Sequence, residues 1–170
     1  SEMCIRDRTY LGDISTIASA LVLGHLAKRT APYETPILVP CYDPLVMAAE
    51  REIVREAYLE VGRPQTYRPD NIFFVTDSQF GYVTAVAGMM LRERPAVNFF
   101  MGYFAAESLV LAETGNITDT LQIAGTDADN QLPFFVAACD YTLMGEELYA
   151  AGAYLSRDPI LLAQLKAQDT

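Results

Sequence analysis

The stretch Ile37-Leu-Val-Pro-Cys-Tyr-Asp-Pro44 joins an apolar run to a strong helix start signal. Asp43 suits the N-cap position, and Pro44 suits the first helical position because its missing N–H costs no hydrogen bond there. Apolar residues then recur at helical spacing over 45–61, and Gly62 ends the pattern. The stretch therefore predicts a strand over 37–41 that leads directly into a helix.

The same order of apolar run, polar turn and amphipathic stretch occurs three more times. The runs cover 72–75, 97–101 and 121–124, and each is apolar at most positions instead of alternating. Such runs are typical of parallel strands that helices cover on both faces. We therefore expect a Rossmann-like three-layer α/β fold, with a further helix over 14–29 before the first of these strands.

The region after Ala124 allows two interpretations. Residues 134–138 have the composition of a strand, but a parallel partner needs a crossover of about a dozen residues or more. Only nine residues separate Ala124 from Phe134, so we favour a helix that begins near Asp129 and is broken at Gly145. A further helix is expected over 146–155, and a short amphipathic helix follows 158–159.

The two ends of the chain differ from the rest. Residues 1–8 resemble the translation of sequencing-adapter read-through in metagenomic DNA, and we expect them to be a non-native tail. Residues 10–13, Tyr-Leu-Gly-Asp, read like the end of a strand and a turn, yet no native apolar strand precedes them. We therefore expect a single α/β domain over 9–170 that is truncated at both ends and lacks its first strand.

The composition disfavours several classes of function. The net charge is −10, which argues against nucleic-acid binding because phosphate contacts need clustered Lys and Arg. The longest apolar stretches, 14–26 and 132–139, are too short to cross a bilayer, and no secretory signal peptide is visible. Three cysteines without CxxC spacing and a single histidine argue against a zinc site and against a Ser-His-Asp triad.

A candidate site follows from the fold, because the turns after parallel strands meet at one edge of the sheet, where ligands bind. The candidate residues at this edge are glycines, hydroxyl-bearing residues and carboxylates. They are Gly12, Asp13, Asp43, Asp77, Ser78, Gly102, Glu107, Gly125, Thr126 and Asp127. Carboxylates that converge there would hold Mg²⁺ or Ca²⁺. Helix capping is the favoured interpretation of Asp13, Asp43 and Asp77 taken singly.

Other chemistries have weaker support at this edge. Helix N-termini attract anions, but neither GxGxxG nor GxxxxGK[ST] is present, and acidic caps repel phosphate. Cys41 and Cys139 lack a second histidine that would activate them. His25 lies on the apolar face of the first helix, where packing is the favoured interpretation. Glu107 interrupts the apolar run 104–111, so it is either a buried site carboxylate or an exposed side chain.

Longer motifs carry family information. They are Phe100-Met-Gly-Tyr-Phe-Ala-Ala-Glu-Ser108, Ile123-Ala-Gly-Thr126, Gln131-Leu-Pro-Phe-Phe135, Ala138-Cys-Asp-Tyr-Thr-Leu-Met-Gly-Glu-Glu-Leu-Tyr-Ala-Ala151 and Ala153-Tyr-Leu-Ser156. Together they resemble an uncharacterised prokaryotic family with only a domain-of-unknown-function label, over essentially 10–169. The resemblance implies a domain on the cytoplasmic side of the cell membrane, attached to membrane helices outside this chain. It supplies no activity, cofactor or catalytic residue.

Three functions are compatible with these patterns. The first is a ligand-sensing or noncatalytic domain of a membrane-associated prokaryotic protein that binds a small molecule. The second is a divalent-cation-dependent enzyme, for which the site set is Asp43, Asp77, Glu107, Thr126 and Asp127. The third is an oligomerisation scaffold that buries the Tyr- and Phe-rich segment 132–155 against a second copy of the chain.

Overall fold

Strands and helices alternate strictly along the computed structural model, which describes residues 2–5, 14–105, 107–157, 162–163 and 166. The strands in these residues are β1 (Glu2–Ile5), β2 (Ile37–Cys41), β3 (Ile72–Phe74), β4 (Val97–Met101), β5 (Leu121–Thr126) and β6 (Tyr141–Met144). The helices are α1 (Ile14–Thr30), α2 (Pro44–Glu60), α3 (Gln79–Glu93), α4 (Glu107–Ile117), α5 (Leu132–Ala138) and α6 (Glu146–Ser156).

The six strands form one parallel sheet in the order β3-β2-β1-β4-β5-β6. Met3 of β1 is opposite both Leu38 of β2 and Asn98 of β4, so β1 occupies the centre of the sheet. The expectation of a missing first strand is therefore wrong. Residues 3–5 are an apolar Met-Cys-Ile run, which is the composition that a central parallel strand needs. The all-parallel order confirms the Rossmann-like α/β fold.

Helices cover both faces of the sheet and create two main layers of core. On one face, Leu23 of α1 and Val54 of α2 pack over β2, and Leu148 of α6 packs beside Met101 of β4. On the other face, α3, α4 and α5 enclose Phe100. Helices on both faces explain why the strands carry apolar residues at successive positions instead of alternating ones.

Three phenylalanines form the centre of the layer beneath α3, α4 and α5. The Phe135 ring lies 5.7 Å from the Phe100 ring and 5.1 Å from the Phe104 ring, measured between centroids. All three side chains are fully buried. Edge-to-face and offset ring pairs of this kind add to the free energy gained by burying the apolar area itself.

Local signals in the sequence explain where α2 and α3 begin. Asp43 caps α2: its carboxylate accepts hydrogen bonds from the backbone N–H of Leu45 at 2.6 Å and of Val46 at 3.2 Å. The hydroxyl of Ser78 accepts from the N–H of Gly81 at the start of α3. These contacts satisfy N–H groups that the first helical turn leaves without a partner.

The helix after β4 does not follow the strand directly, and α4 begins at Glu107. Gly102 has φ +118°, a value that glycine tolerates, and it turns the chain away from β4. The Glu107 carboxylate then accepts from the N–H of Ala105 at 2.8 Å, which satisfies a donor just before the first turn of α4.

The favoured helical interpretation of 134–138 is confirmed, since these residues belong to α5. The expected continuation of this helix to Gly145 is wrong. The chain instead leaves α5 at Cys139 and adds β6 to the edge of the sheet. Fourteen residues separate β5 from β6, enough for a crossover that contains the short α5. The short helix expected after 158–159 falls largely outside the described residues.

Candidate functional site

The strand order places a topological switch point between β1 and β4. The chain connects β1 to β2 on one side and β4 to β5 on the other, so the connections leave the carboxyl ends of β1 and β4 in opposite directions. Ligands of open α/β sheets bind in the crevice at such a switch point. The candidate residues that follow the strands therefore divide into a β2–β3 group and a β4–β5 group on either side of it.

The β4–β5 group is held together by backbone contacts. The N–H of Gly102 donates to the carbonyl of Gly125 at 3.0 Å, which extends the β4–β5 pairing to the start of both turns. The hydroxyl of Thr126 is fully buried and accepts from the N–H of Ala128 at 3.1 Å. The structure thus brings Gly102, Gly125 and Thr126 together and places Asp127 beside them.

Asp127 has one oxygen in a hydrogen bond and one without a partner. Its Oδ2 accepts from the hydroxyl of Tyr149 in α6 at 2.7 Å. Its Oδ1 is buried and has no hydrogen-bond partner among the residues that the structure describes. A buried carboxylate oxygen without a donor is costly. A ligand that brings an N–H or O–H group to this point would remove that cost.

The β2–β3 group consists mainly of helix caps. Asp43 and Ser78 cap α2 and α3, as described above. The side chain of Asp77 is exposed, and its backbone carbonyl accepts a hydrogen bond from the hydroxyl of Tyr42. Capping therefore holds for Asp43, whereas Ser78, not Asp77, caps α3.

Gln79 and Glu107 connect the two groups. The side-chain amide of Gln79, the first residue of α3, donates to Glu107 Oε2 in the first turn of α4. Glu107 is 3% exposed, so its buried interpretation is correct. Since α3 follows β3 and α4 follows β4, this hydrogen bond ties the β2–β3 side to the β4–β5 side.

The acidic residues are too widely separated to share one cation. Asp43 follows β2 and Asp127 follows β5, three strand spacings away, which amounts to about 14 Å. Asp77 follows β3 and is one spacing farther, at about 19 Å from Asp127. Ca²⁺ ligands sit at about 2.3–2.6 Å from the ion. Among the described residues, no group of three or more His, Cys, Asp or Glu side chains can hold a metal ion. Gly12 and Asp13 lie outside that part of the chain.

The turns after β2, β3, β4, β5 and β6 have an acidic electrostatic character. They cover 42–43, 75–78, 102–105, 127–131 and 145, and contain aspartates but neither Lys nor Arg. This edge thus presents carboxylates and backbone groups within the part of the structure that is described. These five turns favour a neutral or cationic ligand over a phosphate. The segment that follows β1, which carries Arg6 and Arg8, lies outside the described residues.

The thiols and the histidine are poorly suited to nucleophilic chemistry. Burial and the neighbouring Asp140 raise the pKa of Cys139 to about 12, so its reactive thiolate is scarce near neutral pH. Cys41 is 1% exposed and donates to Glu50 at 3.2 Å. Burial, Arg29 and Lys28 lower the pKa of His25, which sits in α1 toward the opposite edge of the sheet.

Two residues at this site were not predicted from the sequence. Gln79 sits at an ordinary helix start, and Tyr149 lies 22 positions beyond the aspartate that it contacts. The presence of Tyr149 in the 132–155 aromatic segment was a weak signal, because tyrosine commonly seeks a hydrogen-bond partner when it is buried. Nothing in the local sequence pattern pairs either residue with its carboxylate.

Tyr149 provides a test of this geometry through pH. Burial and the bond to Asp127 raise its pKa to about 12, against about 10 in an unfolded chain. The raised pKa of Tyr149 contributes to the free energy of unfolding in full below pH 10. This contribution is lost as the pH rises from 10 towards 12, because the unfolded chain releases the phenol proton first. Urea unfolding at pH 8 to 11 should therefore show the stability gap between wild type and Tyr149→Phe narrowing above pH 10.

Tyr154→Phe is the matched control, because Tyr154 lies on the same helix and is 68% exposed. The difference in free energy of unfolding between Tyr154→Phe and wild type should not change with pH. A gap for Tyr149→Phe that stays constant across this range would contradict the hydrogen bond to Asp127.

Strand order defines a Rossmann-like α/β domain whose topological switch point lies between β1 and β4 at the carboxyl edge of its sheet. The chain belongs to the family described as Domain of unknown function (DUF6754), whose model matches residues 3–170. The resemblance to a family of unknown function is thereby confirmed. No curated protein and no solved structure matches the chain. None of the described helices is long and apolar enough to cross a membrane.

Proposed function

We propose that this domain is a noncatalytic sensor that binds a small polar molecule in the crevice between β1 and β4. The observation that carries the proposal is the strand order, which makes the chain connections leave β1 and β4 in opposite directions. The hydrogen bond between the half-buried Gln79 and the buried Glu107 joins the adjoining helix starts. The unreactive Cys139 and the wide separation of the acidic residues favour binding over catalysis.

The chemistry of the edge selects the class of ligand. The unpartnered Oδ1 of Asp127 needs a hydrogen-bond donor, and the aspartates of the turns attract positive charge. We therefore infer a ligand that presents N–H or O–H groups, such as a nucleoside, an amino acid amide or an aliphatic amine. Phosphate esters are disfavoured by the same carboxylates.

Thermal unfolding against a panel of such compounds tests the proposal. A ligand at one hundred times its Kd adds about 2.7 kcal/mol to the free energy of unfolding. For a chain of 170 residues this corresponds to a rise in Tm of roughly 5–10 °C. Nucleosides and amines should give such a shift, whereas Mg²⁺, Ca²⁺ and inorganic phosphate should not.

The variant Asp127→Asn connects a binding event to the site. It keeps the size of the side chain but removes the anionic acceptor, so the affinity should fall about tenfold or more. Asp129→Asn is the matched control because Asp129 is exposed two residues away. This site would be ruled out if no compound of the panel raised the Tm, or if Asp127→Asn and Asp129→Asn lost affinity equally.

We also propose that the domain works at the cytoplasmic face of a membrane-associated prokaryotic protein. The support is the motif resemblance over 10–169, which implies that related chains carry membrane helices outside this region. Fractionation of cells that express the full-length protein tests this. Recovery of the intact protein in the membrane pellet, resistant to high salt, is the expected result, and full recovery in the supernatant would contradict it.

A second candidate function is an assembly scaffold. Exposed apolar side chains cluster in the three elements that end the sheet. They are Phe134, Val136, Tyr141, Met144 and Tyr154, which are 40–68% exposed. β6 is an edge strand, and such strands can pair with a second copy. Sedimentation of wild type against Tyr141→Lys tests this: a dimer that the substitution converts to monomer supports the scaffold, and a wild-type monomer excludes it.

A further inference from the structure

We propose that the outer surface of α3, α4 and α5 is an interface through which two copies of this chain form a dimer. The three helices lie side by side on one face of the sheet, with α4 between the other two. Six large apolar side chains on their outer surface are 50–85% exposed, and they define what we call the α3–α5 face. They are Phe80, Leu91, Leu109, Val110, Ile117 and Val136.

α3 presents an uncharged stripe on this face. Phe80, Thr84, Gly88 and Leu91 are all exposed, and their spacing of three or four positions places them on one side of the helix. No charged residue occurs in α3 before Arg92. The side of a helix that faces solvent normally carries charged and polar residues. The stripe is therefore the pattern of a helix that packs against a further surface.

α4 and α5 continue the apolar surface. Leu109, Val110 and Ile117 lie on one side of α4, and Glu113 is the one exposed charged residue in these two helices. The helix α2, on the opposite face of the sheet, differs because charged side chains cover its outer side. Its exposed charged residues are Glu52, Arg55, Glu56 and Glu60. The apolar exposure is thus a property of one face of the molecule.

Gly88 adds a second observation on the same stripe. Glycine in the middle of a helix lowers its stability relative to alanine. A Cβ atom added at Gly88 would meet no described atom within 4 Å, so no contact in the described part of the chain calls for glycine here. A second surface that approaches the backbone of α3 closely accounts for it.

The area of the α3–α5 face is that of a stable dimer interface. A residue of this size exposes roughly 150–200 Å² in full, so the six side chains present roughly 600 Å² at their observed exposure. The smaller residues between them bring the area close to the roughly 800 Å² that each partner buries in a standard interface. A two-fold axis would place the same face of both copies in contact.

The charge of the chain favours a second copy over a membrane surface as the occupant. The net charge is −10, and an anionic lipid surface repels such a chain. Helices that bind to membrane surfaces carry Lys and Arg beside their apolar side, whereas Arg92 is the one basic residue of α3, α4 and α5. In a two-fold dimer the charged outer sides of α2 point away from each other, where salt screens them.

Sedimentation equilibrium of the full chain between about 1 and 100 µM tests the proposal, with an expected dimer Kd near or below about 10 µM. At concentrations well below the Kd the chain is monomeric, and substitutions then act on the unfolding of the monomer alone. Leu109→Glu places a carboxylate within the α3–α5 face and should raise the Kd about tenfold or more. Leu59→Glu is the matched control, because Leu59 is 49% exposed on α2 and should leave the Kd unchanged.

Gly88→Glu separates loss of the interface from loss of the fold. The new carboxylate lies one turn before Arg92, so the monomer should be at least as stable as wild type in urea unfolding. The same variant should raise the dimer Kd about tenfold or more, because the side chain fills the space that a partner needs.

Three results would overturn the proposal. The first is a wild-type chain that stays monomeric up to about 100 µM. The second is a dimer whose Kd neither Leu109→Glu nor Gly88→Glu changes. The third is a dimer that Tyr141→Lys dissociates while Leu109→Glu does not, which would place the interface at the β6 edge instead.

Discussion

Replacing Gly115 with alanine is expected to destabilise the protein by about 2–4 kcal/mol. Gly115 lies in α4, where alanine would ordinarily be the better helix former. Here a Cβ atom would come within 1.9 Å of Oε1 of Gln122 in β5. Gln122 is fully buried, so it has no space into which it can retreat.

The expected loss is large because Gln122 holds three elements together. Its Nε2 has two N–H groups, which three acceptors share: the carbonyl of Ala112 at 3.0 Å, Asn116 Oδ1 at 2.9 Å and the carbonyl of Ala138 at 3.0 Å. Moving the amide away from a new Cβ breaks these bonds at about 1 kcal/mol each and leaves buried groups unsatisfied. The clash therefore outweighs the gain in helix propensity.

Gly88→Ala is the control for this prediction, measured by urea unfolding alongside Gly115→Ala. Gly88 lies in α3, and a Cβ atom added there would meet no described atom within 4 Å, so alanine should stabilise by about 0.5–1 kcal/mol. A Gly115→Ala protein as stable as wild type would show that Gln122 is not held against α4.

Replacing Phe135 with alanine should cost about 3–5 kcal/mol, or roughly 6–20 °C in Tm. The ring is fully buried between Phe100 and Phe104, and its removal leaves a cavity beneath α5 that the neighbouring rings cannot fill. Differential scanning calorimetry gives the measurement directly.

Phe134→Ala is the matched control, one residue away and 40% exposed. It should cost no more than about 1 kcal/mol, because half-exposed side chains contribute little packing. Similar losses in both variants would mean that Phe134 is packed as deeply as Phe135, which would contradict the buried face that the structure gives α5.

Much of the fold was predictable from local pattern. The apolar runs that became β2 and β4 have the expected boundaries, and Asp43-Pro44 marks the start of α2 as expected. β3 ends one residue before the end of its apolar run, and β5 extends two residues beyond its own. Strand ends depend on pairing with neighbours, which a single run of sequence does not contain.

The two missed strands have different physical causes. β6 is a four-residue edge strand with an exposed Tyr141. Because it is little buried, its sequence does not carry the apolar pattern of a buried strand. β1 lies in a segment whose composition we interpreted as a non-native tail, although its Met-Cys-Ile run carries the strand signal. In both cases the sheet, through its neighbouring strands, determines the structure more than local propensity does.

The arrangement of the candidate residues was predictable only in outline. Parallel strands place all of their carboxyl ends at one edge, which correctly grouped Gly102, Gly125 and Asp127. The hydrogen bond between Gln79 and Glu107 could not be predicted from the sequence, because it depends on how α3 packs against α4. Strand order also separates Asp43 from Asp127 by three strand spacings, which disfavours a cation shared by these two residues, and strand order is not encoded in any single motif.

Cross-strand NOEs between backbone protons of Met3 and its neighbours test the central claim most directly, because the ligand crevice exists only if β1 is the middle strand from which the two halves of the sheet diverge. The structure predicts parallel-strand NOEs from Met3 to Leu38 on one side and to Asn98 on the other. NOEs to only one of these strands, or an antiparallel pattern, would contradict it.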